Sequence, residues 1–453
     1  MMISAHLAGG DCLNVGCVPS KALIRSAKMI REVKKAQSYP EFGVNIGQQL
    51  EVDFAKIMER MRSLRSQIAP VDGHKLGTDI GVTVLQGFGK FVDENTIEVV
   101  PNYSSNSKPS ILKFKKAVIA TGGRASTVPN IPGLNQSPFI TNETLFNLSK
   151  LPPRMVILGS GVVSLEMAQT FCAFGTKVTV LVRGDTLFPR SDPDVGPVMR
   201  EALEDDGVQF LTNASILNVE TLEEAFDEND LPLLRVKVDV DGQRTDLECE
   251  CLLVAAGRTP NVEHLNLEAA NVEYDAREGI IVNDNARSVS NPNVYSVGDC
   301  TAGVQRLTHM SGEMAKLVVQ NSLFEDDWKL TSLVVPSCMY TEPEYATVGE
   351  VNLQEDEVDV YMSSLKDNDR SILESENKYG FVKVFCKKGT GTIVGCTIIA
   401  RRAGDLINEA SLAIKFNIPL EGIGRNIHSY PTTGEALMSC GLQLINSKWK
   451  RME

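Results

Sequence analysis

Gly9-Gly-Asp-Cys12-Leu-Asn-Val-Gly16-Cys17-Val-Pro-Ser-Lys21 reads as a redox-active dithiol placed where a helix begins. Two cysteines with four residues between them close into a disulfide only over a distorted backbone, which Gly16 permits, so a reducible pair is expected. Pro19 suits the opening turn of a helix, and Ser20 to Val33 continues with helix formers and recurring apolar positions. Cys17 then falls near a helix N-terminus, where amide donors and the helix dipole favour an anion and make the thiolate form more readily. The competing reading is a pair of core cysteines that lie close by chance.

The chain around this stretch has 453 residues, 43% hydrophobic and 23% charged, which is ordinary globular material with room for several domains. Ten cysteines, mostly in apolar surroundings such as Phe171-Cys172-Ala173, do not form a secreted disulfide framework. An intracellular reducing compartment is expected, cytoplasmic first and organellar as the alternative. A net charge of −13 argues against nucleic acid or an anionic membrane as partner. No apolar run is long enough to span a bilayer, and Met1 to Ala8 is too short for a signal peptide.

Downstream, apolar residues from Phe54 to Ile68 recur at helical spacing and predict a helix over 53–70 packed on the first. Short strands are expected at 82–86, 88–92, 96–100 and 111–119, ending at Thr121-Gly122-Gly123. Pro129, Pro132 and Gly133 mark a connection that Leu151-Pro-Pro-Arg154 closes. From about residue 331 the texture becomes hairpin-like strands, 380–385 and 391–399, followed by two helices.

Between these parts, Met155-Val-Ile-Leu-Gly159-Ser160-Gly161-Val162-Val163-Ser164-Leu-Glu166 is a buried strand, a glycine turn and a helix, the pattern of a dinucleotide site. Gly159 allows the tight turn, Gly161 lets pyrophosphate approach the helix N-terminus, and Ser164 replaces the usual third glycine. Gly257 closes a later strand on the same side. The second strand ends at Val182-Arg183, with Arg190 beyond, where an NAD site usually has a carboxylate. Two guanidiniums suit a 2′-phosphate, so NADPH is expected, with NADH possible if both arginines are merely solvated.

The motif Gly-Gly-Asp-Cys-Leu-Asn-Val-Gly-Cys-Val-Pro-Ser-Lys resembles the active-site segment of class I pyridine nucleotide–disulfide oxidoreductases, and mercuric reductase-like flavoproteins above all. The resemblance implies an α/β fold with two Rossmann-like nucleotide-binding domains and an α+β C-terminal dimerisation domain, hence a homodimer. Its domains would be 1–153 (FAD, first part), 154–270 (NAD(P)), 271–330 (FAD, returning part) and 331–453 (dimerisation interface). It further implies FAD contacts from Lys21, Gly89, Thr121, Gly122, Gly123, Asp299, Arg306, Leu307, Thr308 and His309, with Lys21 paired to Glu166 beside the flavin. Asp299 has a competing reading as a helix cap.

Two departures from that family bear on function. The family's opening strand, glycine turn, helix and ribose carboxylate lack counterparts before Gly9, so the first domain is expected to be short of its initial unit and to have exposed sheet edges. N-terminal truncation of an ordinary enzyme is the favoured account, with loss of FAD binding the alternative. In Ile427-His428-Ser-Tyr430-Pro-Thr-Thr-Gly-Glu435, tyrosine takes the place of the acid/base histidine that partners Glu435 in the disulfide reductases. Mercuric reductases resemble the chain here, although the terminal Cys-Cys pair they carry is absent and only Cys440 lies nearby. The resulting expectation is electron flow from NADPH through FAD to Cys12–Cys17, with Cys17 the flavin-side thiolate and Cys12 the interchange thiol. The acceptor would be a soft metal such as Hg(II) or another thiol-reactive species. The alternatives are a disulfide reductase with His428 as the base, and a non-catalytic dimer.

Overall fold

The computed structural model describes the chain except residues 39–41, 45–49, 103–107, 127–130, 227–230, 355 and 451–453, and the side chains of 223–226 and 450. Pro129 and the last three residues therefore lie outside the described residues.

A parallel sheet runs in the order Cys251–Val254, Arg154–Leu158, Lys177–Leu181, Gln209–Leu211. Its middle strands read as continuous apolar runs because they are covered on both faces, with Met155, Val156, Ile157 and Val180 all buried. The helix Val162–Phe174 lies against this sheet and is buried almost all round. Its outer side receives the helix Cys17–Ser38, and Leu23, Phe54, Met58, Met61, Phe171 and Phe174 share one core. That packing joins the redox segment to the nicotinamide side and decides which side chains meet.

The helix expected over 53–70 is Phe54–Asp72, capped by Asp53, whose carboxylate accepts from the Lys56 N–H. The strands expected at 82–86 and 88–92 are one strand, Val84–Asp93. Gly87 keeps it continuous by pressing on Val100 of the neighbouring strand, where a Cβ would lie 2.4 Å from the carbonyl oxygen. Conversely, the stretch 111–119 divides into Ser110–Lys113 and Ala117–Ile119. Met2–Ser4 pairs in parallel with the start of Val84–Asp93. Ala117–Ile119 pairs in parallel with Val294–Ser296 as a two-stranded sheet, with Val118 49% exposed. Thr121 and Asp299 thus leave neighbouring strand ends.

The C-terminal part is an antiparallel sheet in the order Ser337–Met339, Glu344–Gly349, Ile393–Ala400, Phe381–Lys387, Val358–Ser364. Helices Ala403–Lys415, Leu420–Arg425 and Glu435–Lys450 follow it, one more than the sequence suggested, because Pro419 starts an extra short helix. Among the described residues no helix is long and apolar enough to cross a membrane.

Candidate redox and nucleotide site

Cys12 lies on the short helix Gly10–Val15 and Cys17 is the first residue of the helix Cys17–Ser38, two residues earlier than the Pro19 reading placed the helix start. Gly16 forms the break between them, and a Cβ there would stand 2.8 Å from the Asp11 carbonyl. The two cysteines are unbonded in this structure, the reduced form of the expected reducible pair. The Cys17 thiol is pulled down to about 5, first by hydrogen bonding to Cys12, then by the Thr308 hydroxyl 3.3 Å away and the Lys21 charge, against the opposing effect of burial. Cys12 moves the other way, pushed far above the usual thiol range by the same bond and by burial. The proton of the pair stays on Cys12 and the charge on Cys17.

One turn further on, Lys21 Nζ donates to both oxygens of Glu166, at 3.1 and 2.9 Å. Glu166 is 2% exposed and also accepts from the Tyr340 N–H at 2.9 Å, and the ammonium lies 4.6 Å from the Tyr340 ring centroid. A carboxylate this buried is tolerable because every charge-compensating bond is present.

At the glycine turn, Gly159 has φ +107° and a Cβ would sit 2.7 Å from the Ala255 carbonyl, so only glycine fits. Gly161 begins the helix Val162–Phe174 without a side-chain cap, and a Cβ there would meet nothing within 4 Å. That open, uncapped N-terminus fits a pyrophosphate. Ser160 belongs to the turn, Val162 and Val163 stay 44% and 43% exposed, and Ser164 is fully buried against the sheet. Gly257 has φ +140°. Arg183 and Arg190 are both exposed beyond the strand Lys177–Leu181.

The groups expected around a flavin converge from three places. Thr121 Oγ1 donates to the Asn261 carbonyl at 2.6 Å, and the Asn261 amide donates back to the Thr121 carbonyl at 3.0 Å. Gly122, at φ +69°, has open space where a Cβ would be, while a Cβ at Gly123 would stand 3.3 Å from Asp299 Cβ. Asp299 Oδ2 accepts from Arg258 Nε at 3.1 Å, and Oδ1 has no hydrogen bond among the described residues. The carboxylate caps no helix, since the following helix, Thr308–Leu323, starts after Leu307 without a side-chain cap. Arg306 donates to the Arg258 carbonyl at 2.6 Å, and His309 Nε2 meets the Pro336 carbonyl at 2.7 Å. Gly89 lies farther off on the strand Val84–Asp93, against Ile3. The free Asp299 oxygen, the space at Gly122 and the uncapped Thr308 helix beside Cys17 fit a flavin.

Arg258 and Tyr340 were not singled out in the sequence. The Arg258 guanidinium bonds Asp11, Asp299 and the Gly123 carbonyl together, tying the residue before Cys12 to the Asp299 turn. A charge directly after Gly257 was its only local signal; Tyr340 had none.

On the acceptor side, Tyr430 is 72% exposed and its hydroxyl donates to Asp369 Oδ2 at 2.7 Å, which raises it above the usual tyrosine range. Glu435 accepts from the Thr432 N–H at 2.9 Å. His428 is turned inward, its side chain 9% exposed, with Nε2 3.1 Å from Glu409 and Nδ1 3.2 Å from the Asn426 carbonyl. Both ring nitrogens are therefore engaged within the chain.

The pyridine nucleotide-disulphide oxidoreductase family profile matches residues 1–315, and that family's dimerisation-domain profile matches 335–440. The mercuric reductase of Lysinibacillus sphaericus is 32% identical over 453 residues, 99% of this chain and 79% of that protein. The mercuric reductase of Bacillus cereus is 32% identical over 440 residues, 96% of this chain and 66% of that enzyme. The mitochondrial dihydrolipoyl dehydrogenase of Pisum sativum is 31% identical over 442 residues, 96% of this chain and 84% of that protein. Among solved structures, LpdA from Mycobacterium tuberculosis superposes with a TM-score of 0.83 at 24% identity, covering 98% of this chain and 93% of that one. The Cu(II) complex of the HOCl-induced flavoprotein disulfide reductase RclA from Escherichia coli gives 0.82 at 23% identity, with the same coverage. Likeness at that level concerns the fold alone.

Proposed function

The chain belongs to the pyridine nucleotide-disulphide oxidoreductase family, and from that premise we propose that it passes electrons from NADPH to a soft-metal or other thiol-reactive acceptor at Cys12 and Cys17. Members of the family use FAD and NAD(P)H. A bound FAD would supply hydride acceptance from the nicotinamide and a two-electron reduction of the Cys12–Cys17 disulfide to the thiol and thiolate. Gly159–Ser164 and Gly257 hold the dinucleotide, and Arg183 and Arg190 receive a 2′-phosphate. Lys21, Thr121–Gly123, Asp299 and Arg306–His309 would hold the flavin, with Glu166 fixing Lys21, whereas Gly89 packs against Ile3 instead.

The observation that carries the reading is the asymmetry of the two thiols: Cys17 is held as thiolate between Thr308 and Lys21, and Cys12 keeps the proton. Cys17 stays on the cofactor side, while Cys12, on the separate short helix, engages the acceptor. The dimerisation domain supports a homodimer, and the reading assigns Tyr430 and Glu435 to the acceptor side of such a dimer. Tyr430 is a poor base at neutral pH, and His428 is committed to Glu409, so among the described residues of this segment neither serves as acid for a departing thiolate. An acceptor such as Hg(II), reduced by an electron pair without protonation of a leaving thiol, matches that deficit.

NADPH oxidation by the flavin-loaded protein, followed with Hg(II), oxidised glutathione and lipoamide, tests the reading. Faster turnover with Hg(II), abolished in Cys12→Ala while NADPH still bleaches the flavin, is the expected result. Efficient Cys12-dependent turnover of either disulfide would overturn it.

A further inference from the structure

Residues Tyr340 to Glu342 run as a strap along the helix Val162–Phe174. The Tyr340 N–H donates to Glu166 Oε1 at 2.9 Å, the Glu342 N–H to Gln169 Oε1 at 2.9 Å, and Gln169 Nε2 back to the Glu342 carbonyl at 2.7 Å. Glu166 and Gln169 are 2% and 6% exposed, so these bonds are made largely out of water. Two buried side chains one helical turn apart thereby fix the strap's backbone, and with it the place of the Tyr340 ring. That ring carries the Lys21 ammonium 4.6 Å from its centroid.

We propose that Tyr340 is the positioning residue of the Lys21–Glu166 pair. Its ring holds the ammonium while its main-chain N–H holds the carboxylate, so the pair's geometry is set from the segment between strands Ser337–Met339 and Glu344–Gly349. The inference deepens the proposed function and rests on it for the place of Lys21 beside the flavin. Lys21 needs such a hold because its side chain is 37% exposed, and a four-carbon ammonium with water on one side otherwise swings out. Glu166 has both oxygens engaged by Lys21, and the strap N–H is what keeps them aimed. The Tyr340 hydroxyl takes no part in either contact, so the ring and the hydroxyl can be separated by substitution.

The test compares the full chain with Tyr340→Leu, which removes the ring and keeps the main-chain bond, and Tyr340→Phe, which keeps both. Acetylation by an amine-reactive ester is followed lysine by lysine with peptide mass spectrometry. Lys28, paired with Glu344 at 3.1 Å, and Lys34, bonded to the Ala173 carbonyl at 3.0 Å, lie on the same helix and report general loosening. Tyr340→Leu is expected to speed Lys21 labelling about two- to fivefold and leave Lys28 and Lys34 unchanged, as the loss of a partly exposed cation–π contact predicts. Tyr340→Phe should match the parent. Unchanged Lys21 labelling in Tyr340→Leu, a parallel rise at all three lysines, or equal effects of Phe and Leu would each overturn the proposal. In the flavin-loaded protein Tyr340→Leu, and not Phe, should lower the flavin midpoint potential, because the positive charge beside the ring is less firmly held. A change in labelling with no change in potential supports the hold and overturns the place of Lys21 beside the flavin, so the two failures are distinct.

Discussion

The Cys17 sulfur lies 3.3 Å from the Thr308 hydroxyl, joining the first residue of one helix to the first residue of another 291 positions away. Two helix N-termini thus face one thiolate, and a hydroxyl donor stands between them. Thr308→Val keeps the shape and removes the donor. Because a hydrogen bond to a charged group contributes about 1.5–3 kcal/mol, the Cys17 titration should move up by about one pH unit or more. Iodoacetamide reactivity of the reduced protein against pH measures it; an unmoved midpoint refutes the role given to Thr308.

The same thiolate makes stability depend on pH in a definite direction. Cys17 is lowered from an unfolded value of 9.0 to about 5, so its contribution is fully present above pH 9 and is lost as pH falls through about 5. Cys12, shifted upward, is protonated in both states from pH 5 to about 8 and adds no slope there; only toward pH 9, where the unfolded thiol ionises, does it oppose the trend. The difference in urea midpoint between the reduced parent and Cys17→Ser should shrink steadily from pH 9 to pH 5. A constant difference would show that the thiolate is not stabilised by the fold.

Lys21 and Glu166 should be tolerated as a pair and missed singly. Lys21→Met leaves a carboxylate that is 2% exposed with, among the described residues, the Tyr340 N–H as its one remaining partner, which is expected to cost about 3 kcal/mol. The double variant Lys21→Met/Glu166→Leu removes the orphaned charge and should recover most of that loss in urea unfolding, though not the reactivity of Cys17. A double variant less stable than the single one would mean the pair is a net source of stability.

Arg183 and Arg190 stand exposed after the strand Lys177–Leu181, so their effect should appear in cofactor choice rather than in folding. Replacing both with Ala is expected to raise KM for NADPH roughly tenfold or more while changing KM for NADH about twofold at most, since hydrogen bonds to a charged group typically contribute about 1.5–3 kcal/mol. Equal changes for the two cofactors would remove the case for a 2′-phosphate site.

What was legible in the sequence was what is local. The strand, glycine turn and helix from Met155 to Glu166 could be read because each residue answers to its immediate neighbours, as could the helix Phe54–Asp72, though not that Asp53 caps it rather than beginning it. The two short strands that local pattern predicts at 82–86 and 88–92 are one strand, Val84–Asp93, because the fit of Gly87 against Val100 across the ladder has no local signature. Arg258, which ties Asp11 to Asp299, and Tyr340 under Lys21 escaped notice because their partners are distant in sequence. His428 was visible as a histidine near an acceptor motif. The direction it faces was set by Glu409 on another helix, which no local pattern reveals.

That orientation gives the last prediction. With Nε2 on Glu409, Nδ1 on the Asn426 carbonyl and the side chain 9% exposed, His428 holds the loop 426–434 to the helix Ala403–Lys415 and has no nitrogen left for an acceptor. His428→Gln keeps a donor toward Glu409 and should change turnover about twofold or less, whereas loss of a general acid or base typically costs about a hundredfold or more. Tyr430 is the exposed group, and its hydroxyl is tied to Asp369. Tyr430→His sets an imidazole at that position, within the same segment as Glu435, and is expected to raise turnover of oxidised glutathione or lipoamide several-fold while leaving Hg(II) turnover essentially unchanged. Steady-state rates with the three acceptors decide it. A hundredfold loss of disulfide turnover in His428→Gln would make that histidine the missing base and turn the reading toward a disulfide reductase.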